Sequence, residues 1–498
     1  MTPLLFVVAR ARKAGTAFLA GWLWGTIFFY GTCWWLTYPM IHSANFRVWL
    51  AYPLLLVPVV LVALFPALAC ATLFQSIRKF GAAAMLLAPV FWVSSEWLRY
   101  IVTGQLWNAI GYSQAFHQLM IQPARIGGVY LVGFLIVLVN AGLAYALTTR
   151  TFRAAISLTL VLAASCGILY LNLERLVNAA GRAFAASDYS VIVVQPNVPM
   201  ESLDPPAEER LLEKHLTLSK AVIPKVQLTD IHPADAQAGV DWRTWATFSS
   251  DTVVIWPESP MNFSYSRDPH LRQVIGDFTR TNHVLLLLNS LEPAKDGGDQ
   301  NSAILVNEKG EMSARYDKIR LMPFGEYVPL PRWLPGASSV QGIVGEFTPG
   351  SSYTLMPLGA LRAGVFICIE AAHPAIARNF TNEGADVLIN ISNDGYLGQT
   401  PVMRQHLANA IFRAVENDRD VVRVTNTGIT AYISSTGAVF DQTTGFHEDV
   451  RTWTISKSGS GATFYSRYGD VFVYGCALIS LGFVSASFMR RRVSEARP

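Results

Sequence analysis

The chain has 498 residues, of which 51% are hydrophobic and only 15% are charged. It is too long for one ordinary domain, and its apolar residues are spread unevenly, which indicates a membrane part joined to a more ordinary part. The net charge of +4 is small for this length and lies mostly beside the apolar stretches. This charge does not indicate a nucleic-acid partner.

Six weakly charged stretches are near or above the roughly 20 residues that cross a bilayer. Five lie in the first third of the chain and one near its end: 14–46, 48–77, 80–95, 126–149, 154–171 and 471–489. The third is the shortest, and we expect it to extend through Glu96 and Arg99. We therefore predict six transmembrane helices. The first run is of spanning length and lacks a small-residue cleavage site, which is not typical of a cleaved signal peptide.

Lysine and arginine residues predict the orientation of these helices. If the helices alternate in direction, four basic clusters fall on one side of the membrane: 10–13, 78–79, 150–153 and 490–492. The positive-inside rule makes that side the cytoplasm. We predict an N-terminal membrane domain (1–175), an extracytoplasmic domain (185–465), a C-terminal transmembrane helix (468–490) and a basic cytoplasmic tail (491–498), with both termini in the cytoplasm.

The predicted extracytoplasmic domain alternates apolar β-rich runs with helical patterns. Because the runs are almost continuous in Val, Ile and Leu, they are typical of strands covered on both faces, and they favour a layered α/β domain over a β-sandwich. Helices are predicted at 206–222 and 401–416. Strands are predicted at 189–194, 252–256, 283–289, 303–307, 361–369, 386–391, 421–425 and 431–434.

Two segments of this domain have little periodicity. Residues 293–300 form a polar turn, and 323–350 are rich in proline, glycine and aromatic residues. The longer segment is predicted either to contact lipid or to be an ordinary packed loop. The apolar residues that could contact lipid are Phe324, Tyr327, Trp333, Leu334, Ile343 and Phe347.

Cys368 is the only cysteine of the predicted extracytoplasmic domain. The other four lie in apolar spans, where a small hydrophobic residue is common: Cys33, Cys70, Cys166 and Cys476. A solitary thiol outside the cytoplasm has no intrachain disulfide partner and is exposed to oxidation. This position indicates a functional thiol, although a cysteine in an apolar strand is more often structural.

Glu258, Lys318 and Cys368 each follow a predicted strand or lie beside a turn. Reacting groups collect at strand ends in layered α/β domains, and these three would supply a base, a cation for an oxyanion and a nucleophile. Taken singly, the signals are weak. Glu258 could cap a turn, and Lys318 could belong to a solvated charge cluster.

The contexts of these residues resemble the nitrilase superfamily: Glu258 in WPES, Lys318 ahead of PFGEYVP, and Cys368 two residues before Glu370. Within it, the chain resembles the apolipoprotein N-acyltransferases along nearly its whole length. Further matching motifs occur in the family's order: GYSQ (111–114), Asn301-Ser302, SNDGYLG (392–398), RQHLANAIFRAVENDR (404–419), TNTGITA (425–431) and TFYSRYGD (463–470).

The resemblance implies an αββα sandwich joined to a multi-span helical membrane domain. It assigns the general base to Glu258, the oxyanion cation to Lys318 and the nucleophile to Cys368, with Glu326, Glu370 and Asn301 in support. It implies a ping-pong reaction in the bacterial inner membrane, with a phospholipid as acyl donor, a diacylglyceryl lipoprotein as acceptor and the catalytic domain on the periplasmic side. No cofactor or metal site is predicted, and His406 is expected to be structural.

Three departures from the family's pattern are present. Ile369 replaces a tyrosine, Gly395-Tyr396-Leu397 replaces Ala-Trp-Phe, and the chain begins where the family's third span is expected. The substitutions leave acyl-chain and acceptor preferences open. Two alternatives follow: a membrane-tethered paralogue with nitrilase-type chemistry on another acceptor, and a non-enzymatic scaffold. Retention of Glu258, Lys318 and Cys368 together argues against the scaffold.

Overall fold

The computed structural model describes residues 1–171, 173, 189–200, 204–223, 252–258, 260, 263–295, 297–328, 347–457 and 461–495. Within these residues, a helical N-terminal part precedes two six-stranded sheets, and a long helix follows them. The apolar first third of the chain therefore folds as helices, and the β-rich runs of the second part fold as two sheets.

In the described residues up to Leu171, the N-terminal part contains nine α-helices: α1 Thr2–Arg10, α2 Ala14–Cys33, α3 Thr37–His42, α4 Val48–Val62, α5 Leu64–Phe80, α6 Ala88–Thr103, α7 Gln118–Ile121, α8 Ala124–Thr149 and α9 Phe152–Leu171. Among the described residues, three helical stretches are long and apolar enough to cross a membrane, namely Val48–Phe80, Ala124–Thr149 and Phe152–Tyr170, and a shorter apolar helix is Val471–Ala486. The protein is a membrane protein, and the six spans and their orientation stay predictions.

Small residues let two of these helices approach closely. A Cβ added at Gly21 would lie 2.7 Å from the Pro66 carbonyl oxygen, and one at Gly25 would lie 2.6 Å from the Pro66 ring. Because lipid offers no hydrophobic driving force between helices, such close backbone packing is a main source of their association. The contact joins α2 to α5.

The described segments of the second part contain twelve strands in two sheets, ordered β12-β1-β2-β3-β4-β5 and β11-β10-β9-β8-β7-β6. Their bounds are β1 Tyr189–Gln195, β2 Thr252–Ile255, β3 Leu285–Pro293, β4 Asp299–Val306, β5 Met312–Asp317, β6 Leu355–Leu358, β7 Leu361–Ile367, β8 Val387–Ser392, β9 Val421–Thr425, β10 Ala431–Ile433, β11 Val439–Phe440 and β12 Asp449–Ile455. The helices of this part and the one that follows it are α10 Pro205–Val222, α11 Pro269–Asn282, α12 Pro374–Asn382, α13 Val402–Asn417, α14 Phe464–Tyr468 and α15 Val471–Glu495.

The two sheets are the inner layers of a four-layer sandwich. Ile255 and Leu287 share one apolar cluster with Val365 and Ile389 of the second sheet. The alternate positions of the first sheet belong to a separate cluster with α11, because successive side chains of a strand point to opposite faces. With α12 and α13 against the second sheet, the order is αββα, and the predicted fold class is confirmed.

Helix α13 also joins the sandwich to the membrane part. Gly128, at φ 63°, breaks the regular geometry of α8, and the freed Val129 amide donates to the buried Glu416 carboxylate at 3.0 Å. Arg413 pairs with Glu416 at 2.8 Å and donates to the Tyr112 hydroxyl at 3.3 Å. Since these groups are buried, the two parts are held in a defined relation.

Each predicted strand corresponds to an observed strand, with boundaries that differ by a few residues. The prediction for 361–369 was two residues too long, because the backbone turns at Cys368, whose φ is 52°. The sequence patterns missed β5, β6, β11 and β12, which lie at or near the sheet edges, and helices α11 and α12. Short edge strands carry a weak apolar signal.

Candidate active site

Cys368 follows directly after β7 and begins a short 3₁₀ turn, Cys368–Ala372. Its φ of 52° lies in the left-handed region, which side chains other than glycine, asparagine and aspartate seldom adopt. Ile367 and Ile369 on either side are buried, whereas Cys368 is partly exposed. The turn therefore places a strained, accessible thiol at the end of a central strand, a typical position for a nucleophile.

Glu258, Lys318 and Glu326 come together beside this turn. The Lys318 Nζ lies 3.2 Å from the Glu258 Oε1 and 2.9 Å from the Glu326 Oε1. Asn301 Nδ2 donates to the same two carboxylate oxygens, at 3.0 Å to Glu258 and 2.6 Å to Glu326. The structure thus brings four of the residues singled out from the sequence into direct contact.

Lys318 is the most buried member of this cluster. Its side chain is 1% exposed, whereas those of Glu258 and Glu326 are 14% and 11% exposed. Burial by itself lowers the pKa of Lys318, but the two adjacent carboxylates outweigh it and hold that pKa well above its usual range. Lys318 is therefore a fixed cation at neutral pH.

The charges of Glu258, Lys318 and Glu326 affect the pKa of the Cys368 thiol. Burial raises its pKa, the Glu258 carboxylate raises it further, and the Lys318 ammonium opposes both. The thiol is consequently protonated at neutral pH, although only the thiolate is a strong nucleophile. Reaction at this sulfur requires a base that removes the proton as the attack proceeds.

Glu370 lies outside the Lys318 cluster and ties two chain segments together. Its Oε1 accepts from the Ile319 amide at 2.8 Å and the Arg320 amide at 3.0 Å, and its Oε2 accepts from the Ile367 amide at 2.8 Å. The Tyr316 hydroxyl donates to the same carboxylate at 2.9 Å. Glu370 therefore fixes the segment that carries Lys318 against the segment that carries Cys368.

Two hydrogen bonds of the site were not predicted from the sequence. The Asn393 backbone amide donates to the Glu258 Oε2 at 3.1 Å, and the Asn289 side-chain Nδ2 donates to the Asn301 Oδ1 at 2.7 Å. Both asparagines lie at or just after strands of the core, where a polar residue in an apolar run was the available signal. Together they orient Glu258, which binds Lys318, and Asn301, which donates to the carboxylates of Glu258 and Glu326.

The segment that departs from the family's pattern lies at the same edge. A Cβ added at Gly395 would lie 2.6 Å from the Met200 Cγ, so the glycine leaves room for that side chain. Tyr396 is 54% exposed, and its pKa is raised to about 12 by partial burial and by the Glu258 carboxylate and Cys368 thiol nearby. Ile369 is buried. Two of the substituted positions, Ile369 and Tyr396, therefore lie near the candidate nucleophile.

Apolar side chains lie exposed around this edge of the sandwich. Phe324 is 56% exposed, and Tyr327 is exposed as well. Phe347 is partly buried, and its amide donates to the Glu326 carbonyl at 3.1 Å. Trp333, Leu334 and Ile343, which were also predicted to contact lipid or to pack in a loop, lie outside the described residues.

The described part of the chain contains no group of three or more His, Cys, Asp or Glu side chains that could hold a metal ion.

Residues 1–142 match the family model of the apolipoprotein N-acyltransferase N-terminal domain, and residues 208–465 match that of the carbon-nitrogen hydrolases. The apolipoprotein N-acyltransferase of Geobacter metallireducens is 30% identical over 99% of this chain and 90% of its own length. The chain belongs to the apolipoprotein N-acyltransferase family. That of Allorhizobium ampelinum is 32% identical over 91% of this chain and 82% of its own length. The family predicted from the sequence motifs is confirmed.

Solved structures similar to this chain include an amidase from Nesterenkonia sp. and a variant of the Nesterenkonia sp. AN1 amidase with an acetamide moiety covalently added at its active site cysteine. Each is 15% identical with a TM-score of 0.39. The alignments cover 59% of this chain and 98% of the amidase, and 58% of this chain and 97% of the variant.

Proposed function

We propose that the protein transfers a fatty acyl group from a membrane phospholipid, through a thioester on Cys368, to the α-amine of the diacylglyceryl-cysteine at a lipoprotein's N-terminus. The observation that carries the proposal is the cluster of Lys318 with Glu258 and Glu326 beside a cysteine in left-handed conformation. Membership of the acyltransferase family supports acyl transfer as the reaction.

In the first half-reaction, the Cys368 sulfur attacks the ester carbonyl of the phospholipid while its proton passes to Glu258. The two carboxylate oxygens of Glu258 accept three hydrogen bonds, which leaves a lone pair for that proton. The tetrahedral intermediate carries a negative oxygen, which the fixed Lys318 cation stabilises. Collapse expels the glycerol oxygen, which takes the proton from Glu258, and the products are a lysophospholipid and a thioester.

In the second half-reaction, the α-amine of the lipoprotein attacks the thioester carbonyl. Glu258 accepts one proton from the attacking nitrogen, and Lys318 again faces the oxyanion. The Cys368 thiolate leaves and recovers the proton from Glu258, so the amide product forms and the enzyme returns to its initial state. A sulfur nucleophile suits both halves, because it attacks esters readily and is a good leaving group.

The proposal includes a position at the surface of the bacterial inner membrane, with the sandwich on the periplasmic side. The exposed Phe324 and Tyr327 beside the site support an apolar edge that meets the bilayer, where the acyl chains of both substrates reside. Family membership favours this function over the membrane-tethered paralogue. The intact cluster around Lys318 disfavours a non-enzymatic scaffold.

The test is acyl transfer in a bilayer containing purified protein, phospholipid and a synthetic diacylglyceryl-cysteine peptide. We expect the peptide to gain one fatty acyl mass at its α-amine, and we expect no gain with Cys368→Ala. Cys166→Ala, which alters an exposed cysteine of helix α9, is the matched control and should transfer normally. A folded wild-type protein that acylates other amines but never this peptide would support the paralogue instead.

A further inference from the structure

His406, near the start of helix α13, contacts the nucleophile's main chain. Its Nε2 lies 2.9 Å from the Cys368 carbonyl oxygen, and its Nδ1 lies 2.7 Å from the Asp394 Oδ1. The side chains of His406 and Asp394 are 2% and 1% exposed. Neither residue of this buried pair takes part in the two half-reactions of the proposed function.

Both partners of the imidazole are hydrogen-bond acceptors. A backbone carbonyl oxygen can only accept, and so can an ionised carboxylate. The buried Arg423 guanidinium pairs with the Asp394 Oδ2 at 3.0 Å, and this permanent cation favours the ionised form of the carboxyl group. Asp394 is therefore ionised, and two short contacts to acceptors require an N–H on each ring nitrogen of His406.

We propose that His406 is an imidazolium cation and acts as a positioning residue for Cys368, holding the nucleophile's carbonyl in place and setting a positive charge beside its thiol. The inference rests on the assignment of Cys368 as the nucleophile of the proposed function. His406 touches the main chain of Cys368 and no reacting atom. Its role is exerted through the conformation and ionisation of the cysteine.

The surroundings of His406 fit a cation. Asp394 also pairs with Arg423 of β9 at 3.0 Å, and Arg423 in turn donates to Asn390 of β8. The Trp107 ring lies with its centroid 5.6 Å from that of His406. A buried charge is tolerated when it is paired and hydrogen-bonded, and His406 meets both conditions.

The charge is useful because carboxylates oppose ionisation of the thiol. Glu258, Glu326 and Asp394 all raise the pKa of Cys368, and Lys318 opposes them. An imidazolium bonded to the cysteine's own carbonyl adds a further cation to those of Lys318 and Arg423, which also interact with Cys368. It favours the thiolate that attacks the phospholipid and that later leaves the thioester.

The adjacent residue fixes α13 against the membrane part. The Gln405 Oε1 accepts from the Trp107 Nε1 at 2.8 Å and from the Trp35 Nε1 at 3.1 Å, and the Gln405 Nε2 donates to the Thr32 carbonyl at 2.9 Å. These bonds hold the start of the helix and thereby the imidazole of His406. The position of the nucleophile is thus tied to the membrane helices through two consecutive residues.

The test measures the pH dependence of alkylation of Cys368, read by mass spectrometry of its peptide in purified protein without added lipid. His406→Gln keeps an N–H donor but loses the charge, so the midpoint should rise by about one pH unit or more. His270→Gln, which alters an exposed histidine of α11, is the control and should leave the midpoint unchanged. An unchanged midpoint in folded His406→Gln would overturn the proposal.

A second measurement needs no variant that might unfold. In ¹⁵N-histidine-labelled wild-type protein in bilayers at about pH 7.5, where an ordinary histidine is mostly neutral, solid-state NMR should detect one imidazole protonated on both nitrogens. Only neutral imidazoles would overturn the proposal. Because neither experiment uses a substrate, a shifted midpoint without acyl transfer would reject the proposed function alone. Transfer without an imidazolium would reject this inference alone.

Discussion

The Lys318 ammonium group is held in place by the fold before a substrate binds. An ammonium group that is 1% exposed would be costly without partners, and Glu258 and Glu326 supply them at hydrogen-bonding distance. Because the cation is fixed before a substrate arrives, little reorganisation is needed when an oxyanion forms. Lys318 is also needed for stability, because without its ammonium group the carboxylates of Glu258 and Glu326 would repel each other.

Lys318→Met should slow acylation of Cys368 by about 10²–10³-fold, the range for loss of one oxyanion-stabilising group. The rate is measured as the growth of the acylated protein mass after mixing with phospholipid. Lys309→Met, which alters an exposed lysine in the turn before β5, is the control and should react at the wild-type rate. A Lys318→Met protein that is folded and fully active would exclude the oxyanion role.

Glu370→Gln should destabilise the protein by about 3 kcal/mol, since an amide in a fully buried site cannot accept at both ends. The Ile367, Ile319 and Arg320 amides use both oxygens of the native carboxylate. Thermal unfolding in detergent measures the effect, with the exposed Glu383→Gln as control. Equal unfolding temperatures for the two variants would contradict the bridging role of Glu370.

At the scale of elements, helix α13 has two functions. One part of it, with Ile411 and Phe412, belongs to the apolar core over the second sheet. Another part carries Arg413 and Glu416 to the kinked start of α8. Burial raises the pKa of Glu416 to about 7, although Arg413 opposes the shift. The interface therefore contains a group that titrates near neutral pH.

This shift makes part of the stability dependent on pH. The folded protein binds the Glu416 proton more tightly than the unfolded chain does, so the contribution of about 3 kcal/mol is complete below about pH 4.5 and is lost as the pH rises through about 7. From about pH 5.5 to about pH 8.5, the unfolding temperature of wild type should therefore fall relative to Glu416→Gln. A constant difference would show that Glu416 does not titrate in this range.

The sequence predicted the interior of the sandwich better than its edges. Runs such as VLINIS of β8 are covered on both faces and are almost wholly apolar, which gives a strong pattern. The MSARYD strand β5 is partly exposed near an edge and mixes polar with apolar residues, so its pattern was too weak. Helix α11 could have been found from Asp268, which accepts from the His270 and Leu271 amides as its N-cap.

The candidate site was only partly predictable. Glu258, Lys318 and Cys368 stand in recognisable motifs, and the structure brings the first two into contact. The partners of His406 could not be predicted, because they depend on how three elements meet in space: the end of β7, the loop that follows β8, and strand β9. The left-handed conformation of Cys368 gives no signal in a run that reads as one strand.

At the scale of the whole molecule, the protein joins a sandwich to a membrane domain through buried polar contacts. Arg125 pairs with Asp418 at 2.8 Å, and the Gln122 Nε2 donates to the Thr436 carbonyl at 2.9 Å. Both contacts join residues at or just before the start of α8 to residues that follow α13 or β10 of the sandwich. A fixed orientation of the site relative to the bilayer suits substrates whose reacting groups lie at the membrane surface.

The proposed topology predicts the side on which introduced cysteines react. In a background that lacks the partly exposed Cys368 and the exposed Cys166 (Cys166→Ala with Cys368→Ala), Lys309→Cys should be labelled by a membrane-impermeant maleimide in intact spheroplasts, because residue 309 is exposed on the sandwich. Arg12→Cys should be labelled only after permeabilisation, since residue 12 belongs to a predicted cytoplasmic cluster. The opposite pattern would reverse the orientation.

The central claim is that Cys368 carries the acyl group between the two substrates, and one measurement of intact protein mass tests it most directly. After incubation with phospholipid alone, the wild-type protein should gain one fatty acyl mass that hydroxylamine releases and that disappears when the diacylglyceryl-cysteine peptide is added. Cys368→Ala should gain nothing. A folded wild-type protein that transfers acyl groups without ever gaining this mass, or a Cys368→Ala protein that gains it, would contradict the account.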